Sequence, residues 1–201
     1  MSEPVVVVRT GNANIASVQA GLRRAGADSV VTEDPERVRS ADRVVLPGVG
    51  ALGPTRRRMD ALGLSEAVRT RFLEDRPLFA VCLGLQLLLE GSDESPDERG
   101  LGLVPGWAQR FPDTVRVPQM GWNRVEAPAG ARLLSSGAYY FANTYRLVTR
   151  PPDAQAATGD HGGPFVAAFE RGSVLACQFH PELSGALGTQ LVRRWLEESG
   201  R

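Results

Sequence analysis

Leu78-Phe79-Ala80-Val81-Cys82-Leu83-Gly84-Leu85-Gln86-Leu87-Leu88-Leu89-Glu90 is the stretch on which the fold turns. Its first four residues are apolar without alternation, which suits a parallel strand buried on both faces. No turn residue separates them from Cys82, and the spacing from there predicts a helix over 82–90. A strand that runs straight into a helix holds Cys82 in a tight turn with its side chain exposed, the geometry of a nucleophile elbow. Such a turn needs small residues two places to either side, because the strand and helix backbones nearly touch. Ala80 and Gly84 stand there.

Upstream, Val5-Val6-Val7-Val8 is a second unalternating apolar run. A turn-rich Thr10–Asn14 follows, then Ile15, Val18 and Leu22 at helical spacing, with Gly26 at a C′ position. Ser29–Thr32 and Arg43–Leu46 predict two more strands, the latter ending at Pro47-Gly48-Val49-Gly50. Helices are expected over 54–62 and 64–75. Strand and helix alternating in this way argue for an α/β fold with a mostly parallel central sheet flanked by helices. Downstream, 91–100 reads as an acidic surface loop. Short strands are then expected at Val115–Val117, Tyr139–Phe141, Phe165–Phe169 and Val174–Cys177, as an antiparallel extension of the sheet or a second layer. Gly185 to about Glu198 closes the chain as an amphipathic helix.

The 201 residues point to one domain over 1–201. Hydrophobic residues make up 42% and charged residues 23%, ordinary values that exclude a disordered or collagenous chain. No apolar run approaches the roughly 18 residues of a membrane span, and the start lacks a basic segment followed by an apolar one. A cytoplasmic protein with no membrane partner is expected. The net charge is zero and all 23 basic residues are Arg. Arg56-Arg57-Arg58 therefore reads as a solvated helix face, not a nucleic-acid contact. Without Lys there is no Schiff base, no lysine base and no Walker lysine. Two distant cysteines and two histidines have no zinc spacing, so neither metal nor cofactor is expected.

In Cys82, the helix N-terminus would stabilise a thiolate, and the Leu83 amide would face an oxyanion. A thiol nucleophile needs a base. His161 lies in a polar Gly-rich loop. His180 follows an apolar strand and precedes Pro181, which holds it extended. In that conformation His180 and Glu182 share a side. Glu182 can sit beside the imidazole or, with a turn, bond its far nitrogen as the third member of a triad. Singly, a cysteine at a strand end is a small buried hydrophobe and a histidine a satisfied surface or core residue; jointly they point to catalysis. Cys177, inside an apolar run, belongs to the core. Pro47-Gly48-Val49-Gly50 can present amides to an oxyanion or a carboxylate, or serve only as a strand-to-helix turn. Active sites in such sheets gather at the carboxyl ends of strands.

Together Pro47–Ala51, Val81–Gln86 and Gln178-Phe179-His180-Pro181-Glu182 resemble the class I (triad) glutamine amidotransferases. More narrowly, Val117–Val125, Tyr139–Tyr145 and Ser184-Gly185 are similar to the glutaminase subunits of imidazole glycerol phosphate synthase, and the likeness runs from about residue 5 to 196. The resemblance implies that Cys82 attacks the glutamine carboxamide, His180 relays the proton and Glu182 orients His180. Gly48, Val49, Gly50 and Leu83 would supply oxyanion amides, while Gln86, Thr144 and Tyr145 would border glutamine. It also implies a heterodimer with a (βα)8-barrel cyclase subunit in histidine biosynthesis, which receives the ammonia, with Asn14, Met120, Trp122, Tyr140 and Leu183 facing it. Four positions depart from the family's pattern: Ala80 where Gly is usual, Gln119 and Asn143 where His is usual, and Leu183 where Lys or Arg is usual. The last three leave open an alternative, a glutaminase that supplies ammonia to a different synthase.

Overall fold

A computed structural model describes residues 3–11 and 13–199; of the expected turn at 10–14, Asn12 lies outside the described residues. In chain order the elements are β1 (Val5–Val8), α1 (Ile15–Arg24), β2 (Ser29–Thr32), α2 (Pro35–Ser40), β3 (Val44–Leu46), α3 (Leu52–Ala61), α4 (Leu64–Leu73), β4 (Leu78–Val81), α5 (Leu83–Leu88), β5 (Gly91–Ser92) and β6 (Trp107–Arg110). There follow β7 (Gln119–Glu126), β8 (Gly137–Asn143), β9 (Tyr145–Leu147), β10 (Gln155–Asp160), β11 (Pro164–Arg171), β12 (Val174–Cys177), a 3-10 turn at Pro181–Leu183 and α6 (Gly185–Glu198).

The strands form one mixed sheet in the order β2-β1-β3-β4-β12-β11-β10-β7-β8. From β2 to β12 the neighbours are parallel; beyond β12 they are antiparallel. The second half thus extends the sheet and does not form a second layer. In β1 the pleat divides one apolar run between two cores. Val6 and Val8 join Val38, Met59 and Val68 on one face. Val5 and Val7 join Val18, Leu22, Leu191 and Trp195 on the other. This is why the run shows no alternation: both faces are covered by helices.

Local signals set the helix ends. The Asn14 side chain accepts from the Ser17 amide at 3.2 Å and caps α1. At its other end Gly26 takes φ +95°. The Gly26 amide donates to Arg23 and the Ala27 amide to Leu22, a Schellman closure. The parallel half is tied underneath by Arg71, fully buried in α4. Its guanidinium donates to the carbonyls of Val38, Arg39, Ala41, Asp42 and Pro77. Burial first, and then the neighbouring Arg76, lower its pKa to about 10.

Three expectations need correction. Val115–Val117 is no strand: Pro112 and Pro118 bracket it without ladder donors, and the Val115 amide closes a turn onto Pro112. The helix after Cys82 stops at Leu88, because Leu89 is extended with ψ 179°. The segment 91–100 is not wholly a surface loop, since Gly91 and Ser92 are buried and pair with Trp107 and Ala108.

Candidate active site

The chain leaves three adjacent parallel strands at the same edge. β4 lies between β3 and β12. Their carboxyl ends lead into Pro47–Gly50, Cys82 and Gln178–His180 respectively. Residues far apart in sequence therefore meet within a few strand spacings.

Cys82 sits at φ +55°, in the left-handed region that a side chain adopts only under constraint. The constraint is visible. The Cys82 amide donates to the Cys177 carbonyl at 2.8 Å, continuing the ladder, while its own carbonyl accepts from Leu85 at 3.0 Å and so opens α5. Gly84 must be glycine, because a Cβ there would stand 2.0 Å from the Leu46 carbonyl oxygen. Ala80 fits beside Leu46 and Ala176 without exposure. The expected elbow is present, but its side chain is not open to bulk water: Cys82 is 6% exposed and faces a pocket.

That pocket, about 310 Å³, is lined by Val49, Gly50, Cys82, Leu83, Gln86, Glu94, Ala142, Asn143, Thr144, Tyr145 and His180. It gathers most of the residues expected for nucleophile, base, oxyanion and glutamine. Gly48 stays behind it, where a Cβ would press on Leu83 at 2.9 Å. Its carbonyl accepts the Leu83 amide at 3.3 Å.

His180 is buried, paired with Glu182 and on the wall of the pocket that Cys82 faces. Nδ1 meets Glu182 Oε1 at 2.8 Å, and the ring shares the pocket wall with Cys82. The Pro181–Leu183 turn brings Glu182 round to the far nitrogen. Burial pulls the imidazole pKa down, but hydrogen bonds to Cys82 and Glu182, and their charges, outweigh it and raise the pKa to about 10. The turn is anchored from two sides. The Arg24 guanidinium donates to the Glu182 carbonyl at 2.6 Å, and the His180 amide to the Tyr140 carbonyl at 2.8 Å. His161 is engaged elsewhere, with Nε2 at 2.8 Å from the Arg116 carbonyl and its ring edge-on to Phe111. Cys177 is wholly buried, its thiol pushed well up by burial first and by nearby anionic groups second.

Two site residues were not anticipated from the sequence. Glu94 lines the pocket, its carboxylate fixed by the Leu52 amide at 3.0 Å; in sequence it is one acid among several. Gln178 places its side-chain amide 3.5 Å from the Cys82 sulfur. Its position two residues before His180, within the Gln178–Glu182 motif, is the signal that points to it.

Met120 and Trp122 are exposed on β7, and Trp122 meets Tyr140 edge-on at 6.1 Å. Met120 pairs with the pocket residue Ala142, so this apolar surface starts at the pocket rim. Leu183, 44% exposed, lies on the triad turn, and Asn14 caps α1 at the carboxyl edge of the sheet.

Over residues 7–198 the sequence matches the family described as glutamine amidotransferase class-I. The chain belongs to that class. Its relatives include the "imidazole glycerol phosphate synthase subunit HisH" of Symbiobacterium thermophilum, 40% identical over 95% of this chain and 92% of that one. Those of Cutibacterium acnes, 40% identical over 98% and 99%, and Halobacterium salinarum, 41% identical over 96% and 92%, carry the same name. Within the class, then, the chain is a member of the HisH family. Solved structures agree on the fold. A glutamine amidotransferase crystal structure superposes with TM-score 0.78 at 22% identity, covering 98% of this chain and 99% of that one. PurLQS from Thermotoga maritima gives 0.76 at 15% identity, with the same coverage.

Proposed function

We propose that this chain is the glutaminase subunit of an imidazole glycerol phosphate synthase. It would hydrolyse glutamine to glutamate and ammonia and pass the ammonia to a (βα)8-barrel cyclase in histidine biosynthesis. The observation that carries the reading is His180, which bonds Glu182 and shares one pocket with Cys82 at the mouth of three adjacent strands. Family membership and the names of the relatives support the rest. We read residues 1–201 as one amidotransferase domain acting in the cytoplasm; no described helix is long and apolar enough to cross a membrane.

In this reading Cys82 attacks the γ-carboxamide carbon as a thiolate, and the oxyanion forms against amides of the Val49–Gly50 and Leu83 segments. His180 delivers its proton to the departing nitrogen, which leaves as ammonia. Water, deprotonated by His180, then opens the γ-glutamyl thioester and restores the thiolate–imidazolium pair. Glu182 keeps the imidazole oriented. Gln86, Thr144 and Tyr145 border the substrate, and the fixed Glu94 carboxylate suits its α-ammonium group. Met120, Trp122, Tyr140, Leu183 and Asn14 form the face offered to the cyclase. With Leu183 in a position usually basic, the facing cyclase residue is expected to be apolar instead of acidic.

The test is glutamine hydrolysis with and without the candidate cyclase and its nucleotide ligand. Cys82→Ala should abolish glutamine-dependent turnover of the complex and spare turnover with ammonium salts. Equal loss of both would make Cys82 structural. Hydrolysis unmoved by that cyclase would favour the alternative synthase partner, which the departures at Leu183, Asn143 and Gln119 also fit.

A further inference from the structure

We infer that Gln178 is a positioning residue for the nucleophile: its side-chain amide donates an N–H to the Cys82 sulfur and is locked in that orientation by Gln86. The inference rests on the proposal that Cys82 is the nucleophile and adds a partner outside the triad.

The geometry is explicit. Gln178 is fully buried, just past the end of β12, and its backbone amide donates to the Ala167 carbonyl at 2.8 Å. The chain bends at Gln178 and Phe179 and is extended at His180, so that Gln178 and His180 both turn toward the Cys82 side of the site. Both therefore reach the sulfur, the imidazole from one position and the amide, at 3.5 Å, from another.

Which end of the Gln178 amide faces sulfur follows from its other partner. Gln178 Oε1 accepts from Gln86 Nε2 at 3.0 Å. That assigns oxygen to the Gln86 side and nitrogen to the Cys82 side. A thiolate has no proton to offer, so only the N–H end of an amide can face it favourably. Gln86 belongs to the first turn of α5, where its backbone N–H donates to the Cys82 carbonyl at 3.3 Å. Cys82, Gln178 and Gln86 thus form a closed buried relay, and Gln86 also lines the pocket. Substrate contacting Gln86 would be felt at the sulfur through two hydrogen bonds.

The ionisable groups facing the sulfur are His180 and, behind it, Glu182 on the triad turn, Cys177 on β12 and Glu94 on the pocket wall. Gln178 is the neutral donor among them. Removing its N–H raises the cost of the thiolate without altering any charge.

The experiment is alkylation of Cys82 by iodoacetamide across pH in the full chain. Peptide mass spectrometry separates Cys82 from Cys177. Gln178→Leu and the near-isosteric, uncharged Gln178→Met should move the alkylation midpoint up by about one unit and slow Cys82 about tenfold at neutral pH. In the complex kcat should fall while KM stays within about twofold. A residue that only fills space would lower the melting temperature and leave the midpoint in place. Coincident midpoints in wild type and both folded variants overturn the inference while leaving Cys82 as nucleophile. Glutamine hydrolysis by the complex that survives Cys82→Ala overturns the functional proposal itself. If Gln178→Leu does not fold, Gln178→Met, which keeps the length and the neutral charge and lacks the donor, decides the question.

Discussion

The amide of Leu83 donates to the carbonyl of Gly48 at 3.3 Å. The first free amide of α5 is the natural donor for an oxyanion above Cys82, and here another backbone group occupies it. Rotation of the single peptide between Gly48 and Val49 withdraws that carbonyl and swings the Val49 N–H toward the same place. Gly48 lacks the Cβ that would resist the rotation. Val49→Pro deletes the N–H. We expect glutamine hydrolysis by the complex to drop about a hundredfold, the scale of losing one oxyanion donor, with ammonium-driven turnover retained. A loss below about threefold would remove Val49 from the oxyanion site.

Gly84→Ala tests the elbow. Its Cβ would meet the Leu46 carbonyl at 2.0 Å, and rigid backbone stands on both sides. The substitution should cost about 3 kcal/mol and lower the thermal midpoint by about 10 °C. An unchanged midpoint in differential scanning calorimetry would mean that strand and helix are not in contact there.

The site is legible in the sequence in proportion to how local its determinants are. The elbow shows in Ala80-Val81-Cys82-Leu83-Gly84 because strand, turn and helix are contiguous, and β1, β3 and β4 show because both their faces are buried. β7 and β10 do not. In β7, Met120, Trp122 and Arg124 point outward, so the run carries no apolar stretch. In β10, three of six residues are exposed. Glu94 and Gln178 become site residues through partners 42 and 96 positions away, Leu52 and Cys82, and composition carries no trace of either contact. The pairing of Glu182 with His180 is legible because the two lie two residues apart.

His180 gives a prediction in pH. With its pKa raised to about 10, the ring is an imidazolium at neutral pH. Because the folded value exceeds the ordinary 6.5, the stability its protonation contributes is complete below about pH 6.5 and is lost as pH rises through about 10. Cys82→Ala removes one hydrogen bond and one charge that raise the value, leaves burial in place, and should bring it down. The chain has two histidines, so ¹⁵N-detected imidazole titration resolves them once His180→Gln has assigned the signals. A His180 that titrates near 6.5 in wild type and is unmoved by Cys82→Ala would contradict the pairing.

Trp122 is 59% exposed and stands edge-on to Tyr140, at the edge of the pocket's outer face. If that surface receives the cyclase, Trp122→Ala should weaken association at least tenfold, read by isothermal titration calorimetry. The glutaminase chain should keep its melting temperature. Unchanged affinity would move the interface elsewhere.

The most direct measurement is covalent labelling by a glutamine analogue with an electrophile at the γ-carbon, in the presence of the cyclase and its ligand. One adduct per chain is expected, on Cys82, suppressed by glutamine and absent in Cys82→Ala and His180→Ala. No adduct under those conditions, or an adduct on Cys177 with Cys82 untouched, would contradict it.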